Sequence, residues 1–419
     1  MRILMLAQFY PPAIGGEERH VRTLAHALVR RGHRVAVATL AQGNLPAIED
    51  DEGVRVYRLP ATTARAARLL YSDASRHHAP PLPDPETAWA LRRVIAAERP
   101  EIVHAHNWLV YAYLPLAHLA HLAHKADAPL VMSLHDYGLA CPKKRLMRDG
   151  AVCDGPALGK CLRCAGEHYG RVTGTATVLG KRLLDGRLRA AVSHFLPVST
   201  AVAEGNALAG GGVPFTVIPN FVPDDLGPPP SDGPVPPAVR DLSPEGYLLF
   251  VGDLTPEKGL PVLLRAYAGL ADPPPLVCIG RPTPETPAAF PPNVSLHHHW
   301  SHEAVQWAWA RSGVALVPSV WPDPCPTVAM EAMAMGLPVI AARSGGLPDI
   351  VAHGETGLLV PPGDAGALRD AIARLLADPA LARQMGAAGR RRVAQFRAGA
   401  VVGRIEAIYA DVRRGRRAA

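Results

Sequence analysis

Apolar runs of strand length alternate with segments of helical spacing along most of this chain. Ile3 to Ala7 reads as a buried strand, followed by a loop over Pro11-Pro12-Ala-Ile-Gly15-Gly16. Glu17 to Arg31 sets Val21, Leu24, Ala25 and Leu28 on one helical face, with acids at its start and Gly32 as its stop. Strands follow at Val35 to Leu40, at Val54 to Leu59 after the turn Asp50-Asp-Glu-Gly53, at Ile102 to Ala105 after a helix over 86–98, and at Leu130 to Leu134. Such a β-loop-α rhythm calls for parallel strands in a doubly wound sheet.

The middle of the chain breaks the rhythm. Residues 137–170 are rich in Gly, Cys and basic residues and lack periodicity, which is the pattern of an insertion. A helix over 176–192 leads to a strand at Phe195 to Val198, and residues 219–246 then carry a linker-like set of prolines, including 228–230 and 236–237. Beyond them the alternation restarts. Strands are expected at Tyr247 to Val251, Leu276 to Ile279, Val314 to Pro318 and Pro338 to Ala341, with helices over 259–270, 302–311, 326–335, 364–377 and 380–415. The simplest α/β architecture is two Rossmann-like domains, with a ligand in the cleft they face, at the carboxyl ends of the strands.

Composition narrows the class. A chain of 419 residues with 48% hydrophobic content supports two to three cores and excludes wholesale disorder. The net charge of +7 rests almost wholly on Arg, since Lys occurs only six times. With no dense basic block, nucleic acid is not an expected partner, while a phosphate-bearing ligand or an anionic membrane surface remains open. The apolar start is too short for a signal peptide, and Leu109 to Ala123 is interrupted by Pro115, His118 and His121, so no spanning segment is expected. These features predict a cytoplasmic protein, at most peripheral to a membrane.

The richest segment runs Trp321-Pro-Asp323-Pro-Cys-Pro-Thr327-Val328-Ala-Met-Glu331-Ala-Met-Ala-Met-Gly336. Pro326 suits the first turn of a helix, whose free N–H groups at Thr327 and Val328 would face the loop. A helix start of this kind binds a diphosphate, and Glu331, one turn in, can reach an attached ribose. An ordinary surface loop and helix, with Glu331 as a favourable first-turn acid, is the competing reading.

The segment resembles the Glu-x7-Glu signature of retaining GT-B glycosyltransferases, in the family four group. Further segments resemble the same family in order: the glycine loop Pro11 to Val21, Val103-His-Ala-His106-Asn-Trp108, Leu134-His135-Asp136-Tyr137, and Val217-Ile-Pro-Asn220. So do the turn Phe250-Val-Gly252-Asp253-Leu-Thr-Pro-Glu257-Lys258-Gly259 and the closing stretches Ser344 to Val351 and Gly354 to Pro362. The resemblance implies a GT-B fold with an acceptor domain over 1–213 plus 395–419, and a donor domain over 214–394. It implies transfer from a UDP- or GDP-linked sugar to an acceptor hydroxyl, with retention and without a catalytic metal. Lys258 would neutralise the donor diphosphate, Glu331 would hold the ribose, and Asp323 would touch the transferred sugar. His135 would hydrogen-bond that sugar, and the backbone at Gly15 and Gly16 would approach the phosphates. The acceptor class stays open between lipid, polysaccharide, natural product and small polyol.

Asp253 stands where the family has Arg, and Asp323 where it has Glu. The Asp253 carboxylate is expected to accept hydrogen bonds from the backbone of Thr255 to Lys258 in an Asx-type turn. The missing cation supports an alternative, a non-catalytic glycosyltransferase-like binding protein. A nicotinamide-dependent oxidoreductase is disfavoured because no G-x-G-x-x-G follows the first strand.

Weaker patterns remain. Cys141, Cys153, Cys161 and Cys164 can close a structural zinc site, or be free thiols or packed pairs. His118, His121 and His124 share a helix face, read as the polar side of an amphipathic helix rather than a metal site. The stretch Lys181, Arg182, Arg187 and Arg189 reads as a solvated face, with anionic lipid as the alternative.

Overall fold

The computed structural model describes residues 1–13, 15–65, 81–122, 128–230, 233–243 and 246–418. The chain divides into two compact units, Met1–Pro219 with Val401–Ala419, and Asn220–Ala400.

The first unit is built on β1 (Arg2–Leu6), β2 (Arg34–Leu40), β3 (Ile48–Asp51), β4 (Val54–Leu59), β5 (Ile102–Ala105) and β6 (Leu130–Leu134). A small hairpin, β7 (Met147–Arg148) and β8 (Ala151–Val152), precedes β9 (Val192–Pro197). The seven-stranded sheet has the order β3-β4-β2-β1-β5-β6-β9 and is parallel except for the edge strand β3. Ile3, Leu4, Val37, Val103 and Val131 are buried within it, as continuous apolar strands covered on both faces must be. The helix Gly16–Arg30 presses Val21, Leu24 and Leu28 into that core.

The second unit carries β10 (Leu248–Val251), β11 (Leu276–Ile279), β12 (Val294–His297), β13 (Val314–Val317), β14 (Val339–Ala342) and β15 (Gly357–Val360). All six are parallel, in the order β12-β11-β10-β13-β14-β15. One core joins Leu248, Phe250, Leu263, Leu316, Ile340 and Ile372. Each sheet therefore has a topological switch point, between β1 and β5 and between β10 and β13. Ligands of open parallel sheets bind at such points, outside the carboxyl ends of the strands.

Two expectations shift. The unit boundaries fall a few residues beyond 213/214 and 394/395. Residues 214–218 run beside β9, with Phe195 N donating to Pro214 O at 2.9 Å and Ile218 N to Pro197 O at 2.9 Å. Residues 395–400 stay in the second unit because Val222 N donates to Phe396 O and Ala398 N to Val222 O, both at 2.9 Å. The stretch 137–170 is also not aperiodic throughout. It holds the hairpin and a helix, Leu158–Tyr169, whose buried face consists of only Ala165 and Tyr169. The next helix begins at Arg171 rather than 176. No described helix is long and apolar enough to cross a membrane.

Candidate active site

In the second unit the loops after β10, β11, β13 and β14 gather at the carboxyl edge of the sheet. The β10 loop passes through Gly252 and Asp253 and ends at Gly259, whose φ is +85°. A Cβ on Gly259 would stand 2.0 Å from Pro318 O, so only glycine lets this loop lie against the one after β13. Val320 N and Trp321 N both donate to Glu257 O, at 2.9 and 3.2 Å, and lock the two loops together.

That lock brings Lys258 onto Asp323. The ammonium and the carboxylate form a direct ion pair, and Nζ lies 5.8 Å from the centre of the Trp321 ring. Asp323 is 7% exposed, so its charge is offset largely by this partner. Its backbone is held from the other side. Gly345, at φ +57°, comes so close that a Cβ would lie 2.1 Å from Asp323 O, and Gly346 N donates to that oxygen at 2.8 Å.

The chain then enters the helix Thr327–Ala334, with Pro326 as its cap residue and no side chain capping the first N–H groups. The N–H groups of a first turn have no intrahelical acceptor and carry the positive end of the helix dipole. Ala329, Met330, Ala332 and Met333 are buried around this helix. Its carboxyl end is closed by Arg390, whose Nη2 donates to Met335 O at 2.8 Å. Glu331 is nearly buried, with the Thr327 hydroxyl 3.5 Å from its Oε1. Lys258, Asp323, Thr327, Val328 and Glu331 thus belong to one neighbourhood of the second unit: a cation, an acid, a helix start and an acid one turn in.

Asp253 departs from expectation. Its carboxylate accepts from Arg281 Nη2 at 2.9 Å, not from the backbone of Thr255 to Lys258. The turn is closed instead by Thr255, whose hydroxyl accepts from Lys258 N at 3.3 Å. Thr255 N goes to the backbone oxygen of Asp253. Arg281 follows β11, the neighbour of β10, so it sets a guanidinium beside the position where the resembling family has one. Sequence reading missed it because adjacency of two parallel strand ends is not a local signal.

In the first unit the loops after β1, β5 and β6 meet at the switch point. Gly15 is the extended cap residue of the helix Gly16–Arg30, and nothing lies within 4 Å of where a Gly16 Cβ would stand. A Cβ on Gly15 would meet the flexible Glu18 side chain. His135 follows β6, and its Nε2 is 3.1 Å from His106 Nδ1. The His20 ring stands edge-on to His135 with centroids 4.7 Å apart. His106 Nε2 is buried without a hydrogen-bond partner among the described residues. Burial, with neighbouring histidines, holds His20 and His106 well below the usual imidazole range and His104 at about 3. All three are neutral near pH 7. Tyr409 and Ser133 hold the two nitrogens of His104, at 2.6 and 2.8 Å.

Sequence reading also passed over Glu17. Burial first, and the nearby Asp136 and Glu18 charges, push its carboxyl up to about 8 against the pull of Lys144 and of its hydrogen bond from Asn107. The one described set of potential metal ligands within 4.8 Å of one another is His20, His106 and His135. The side chains of His121 and His124 lie outside the described residues.

The chain is similar to known glycosyltransferases. Residues 15–220 match a glycosyl transferase 4-like domain and residues 240–392 match glycosyl transferases group 1. Taken with the two Rossmann-like units, these consecutive matches show that the chain belongs to the GT-B glycosyltransferases. A glycogen synthase of Mycobacterium tuberculosis is 28% identical over an alignment of 457 positions, covering 100% of this chain and 96% of that protein. The D-inositol 3-phosphate glycosyltransferase of Corynebacterium diphtheriae is 34% identical over 180 residues, 39% of this chain and 42% of that one. In fold, the chain superposes on a sucrose-phosphate synthase from Thermosynechococcus elongatus with a TM-score of 0.73, at 23% identity and 98% coverage of each chain.

Proposed function

We propose that this glycosyltransferase moves a sugar from a nucleoside diphosphate donor, UDP- or GDP-linked, to an acceptor hydroxyl with retention of configuration and without a catalytic metal. The observation that carries the proposal is the grouping of Lys258, Asp323 and Glu331 around the start of the helix Thr327–Ala334. The N–H groups of Thr327 and Val328 would receive the diphosphate, and Lys258 would oppose the charge that grows on the leaving phosphate. Glu331 would accept from the ribose hydroxyls, and Asp323 would orient both Lys258 and the transferred sugar. Front-face attack is the proposed route to retention: the departing phosphate oxygen takes the proton of the acceptor hydroxyl as the new bond forms and the sugar–phosphate bond breaks.

The first unit would bind the acceptor. Its Gly15–Gly16 backbone and His135 stand at the carboxyl ends of its own strands, where a ligand of that unit would bind. The names of the relatives span glycogen and inositol phosphate chemistry, so they support glycosyl transfer and leave the acceptor class open. We take the reaction to be cytoplasmic, since six cysteines in 419 residues do not make a disulfide scaffold. The pairing of Asp253 with Arg281 supports the catalytic reading, because a guanidinium offsets the charge of that carboxylate.

A donor screen tests the proposal. Calorimetry and hydrolysis assays with UDP-, GDP- and ADP-sugars should find one productive base, and NMR of the product should show the donor's anomeric configuration. Turnover should persist when free Mg²⁺ and Mn²⁺ are chelated. Inverted product, or activity that vanishes and returns with those ions, would refute the mechanism.

A further inference from the structure

The loop that leaves β6 with His135 and Asp136 runs directly into the cysteine-rich stretch. Its first turn is knotted by the backbone: Cys141 N donates to Tyr137 O at 2.8 Å, Lys144 N to Cys141 O at 2.9 Å, and Tyr137 N to Lys144 O at 3.1 Å. The N–H groups of Lys143, Arg145 and Leu146 face the Cys141 sulfur. The hairpin β7–β8 follows, and Cys153 N returns to Leu146 O at 2.8 Å. Cys161 and Cys164 then lie three residues apart on the helix Leu158–Tyr169, hence on one face. A turn with amides around one sulfur, a hairpin and a helix all converge on one partly open cavity of about 20 Å³, and all four cysteines line it.

We propose that Cys141, Cys153, Cys161 and Cys164 form a structural tetrathiolate zinc site that clamps the loop carrying His135 and Asp136. Polar contacts tie the segment's ends, with Lys181 Nζ donating to Gly138 O and Leu139 O and the Tyr169 hydroxyl to Pro142 O, but its apolar support is small. The local core beneath it consists of Ala165, Tyr169 and Val178, with Cys161 and Leu162 at its margin. That is too little apolar surface to order a hairpin and a helix, and a metal cross-link supplies what burial does not.

Charge fits as well. Zinc with four thiolates is a dianion, and Lys143 lines the same cavity with Arg148 and Lys160, which are paired with Asp149 and Asp154. Closure requires the sulfurs to draw together, since the histidine trio is the only described ligand set already within 4.8 Å. Cys153 Sγ now makes two weak contacts, to Gly155 O at 3.5 Å and to Asp154 Oδ1 at 3.7 Å. Binding exchanges those for a metal–sulfur bond of about 2.3 Å, and each thiol releases its proton to solvent. The clamp reaches the site through Lys144, whose Nζ is 3.7 Å from Asp136 Oδ2 and 4.4 Å from the centre of the Trp108 ring. The inference stands apart from the identity of donor and acceptor.

The test is metal analysis of the full chain, purified without a histidine tag. About one equivalent of zinc per chain is expected. A mercurial titration should release it as the four thiols react, and cobalt exchanged into the protein should show the intense sulfur-to-metal absorption of a tetrahedral thiolate site. Cys161→Ser should weaken zinc binding by more than about tenfold, the loss typical even of outer-sphere partners. Cys278→Ser, on β11 in the other unit, should leave the stoichiometry unchanged. Metal-free wild-type protein whose four thiols alkylate in the native state would overturn the proposal, and so would an intact mass showing disulfides. Zinc that survives Cys161→Ser but is lost in His106→Asn would place the metal on the histidines and overturn it equally.

Discussion

At the scale of single residues, the candidate site depends on where charge is paired before a ligand arrives. Lys258 is held by Asp323, a nearly buried carboxylate, so the cation is preorganised rather than freely mobile. Lys258→Ala should therefore lower kcat far more than it raises KM, because its charge counts most as the leaving phosphate forms. Glu331→Ala should weaken nucleotide binding by ~1.5–3 kcal/mol, the range of charge-assisted hydrogen bonds, as read by calorimetry. Kinetics unchanged in both variants would remove the donor from this unit. Arg281 and Asp253 form an exposed pair worth little to stability. Its consequence is for the ligand: Arg281→Ala leaves an uncompensated anion beside the phosphate loop and should weaken nucleotide affinity. The double variant Asp253→Ala/Arg281→Ala should recover part of that loss. An Arg281→Ala affinity equal to wild type would show that Asp253 faces away from the nucleotide.

At the scale of elements, what was legible follows from burial. The strands β1, β2, β5, β10, β11 and β13 are buried apolar runs, and apolar runs between turn residues announce themselves. The edge strands β3, Ile-Glu-Asp-Asp, and β12, Val-Ser-Leu-His, are half-exposed, so their composition is set by solvent and reads as loop. The helix Leu158–Tyr169 escaped notice because its buried face is two residues wide. Signature segments placed Lys258, Asp323 and Glu331, yet the Lys258–Asp323 pair itself arises from loop-to-loop contacts that no periodicity encodes. Those contacts depend on glycine. Gly345→Ala would force a Cβ into the Asp323 backbone and hold alanine at positive φ. It should cost about 1–3 kcal/mol of stability and shift Asp323, lowering kcat although no ligand contact is removed. Denaturant titration alongside steady-state kinetics would check this, and a variant with wild-type values in both would refute the account of the loop.

At the scale of the whole chain, the restart of the β/α rhythm announced two Rossmann-like units, and the family resemblance assigned the last helix, 395–419, to the first of them. Ala398–Ala418 leaves the second unit and from Val401 belongs to the first, where Glu406 meets Arg31 and His33, and Tyr409 donates to His104 or accepts from it. The first unit also holds buried neutral histidines and a carboxyl, Glu17, pushed up to about 8, and this makes its stability pH-dependent in two opposed ways. Burial depresses His20, His104 and His106, so below an unfolded value of about 6.5 the unfolded chain takes up protons that the folded chain refuses. Stability is then lost as pH falls, by up to about 1.4 kcal/mol per pH unit for each histidine. Glu17 acts the other way. With its carboxyl at about 8 when folded, against an ordinary 4.5, its contribution is complete at low pH and is lost as pH rises towards 8. Between those limits three histidines outweigh one carboxyl, so stability should peak near pH 6.5 and decline on both sides. Urea-unfolding midpoints from pH 5 to 9 would show the peak. Glu17→Gln keeps an oxygen for the Asn107 bond and removes the charge, so it should flatten the alkaline limb and leave the acidic limb intact. An alkaline limb unchanged in that variant would mean that Glu17 is ionised where it lies, with Lys144 rather than burial deciding its state.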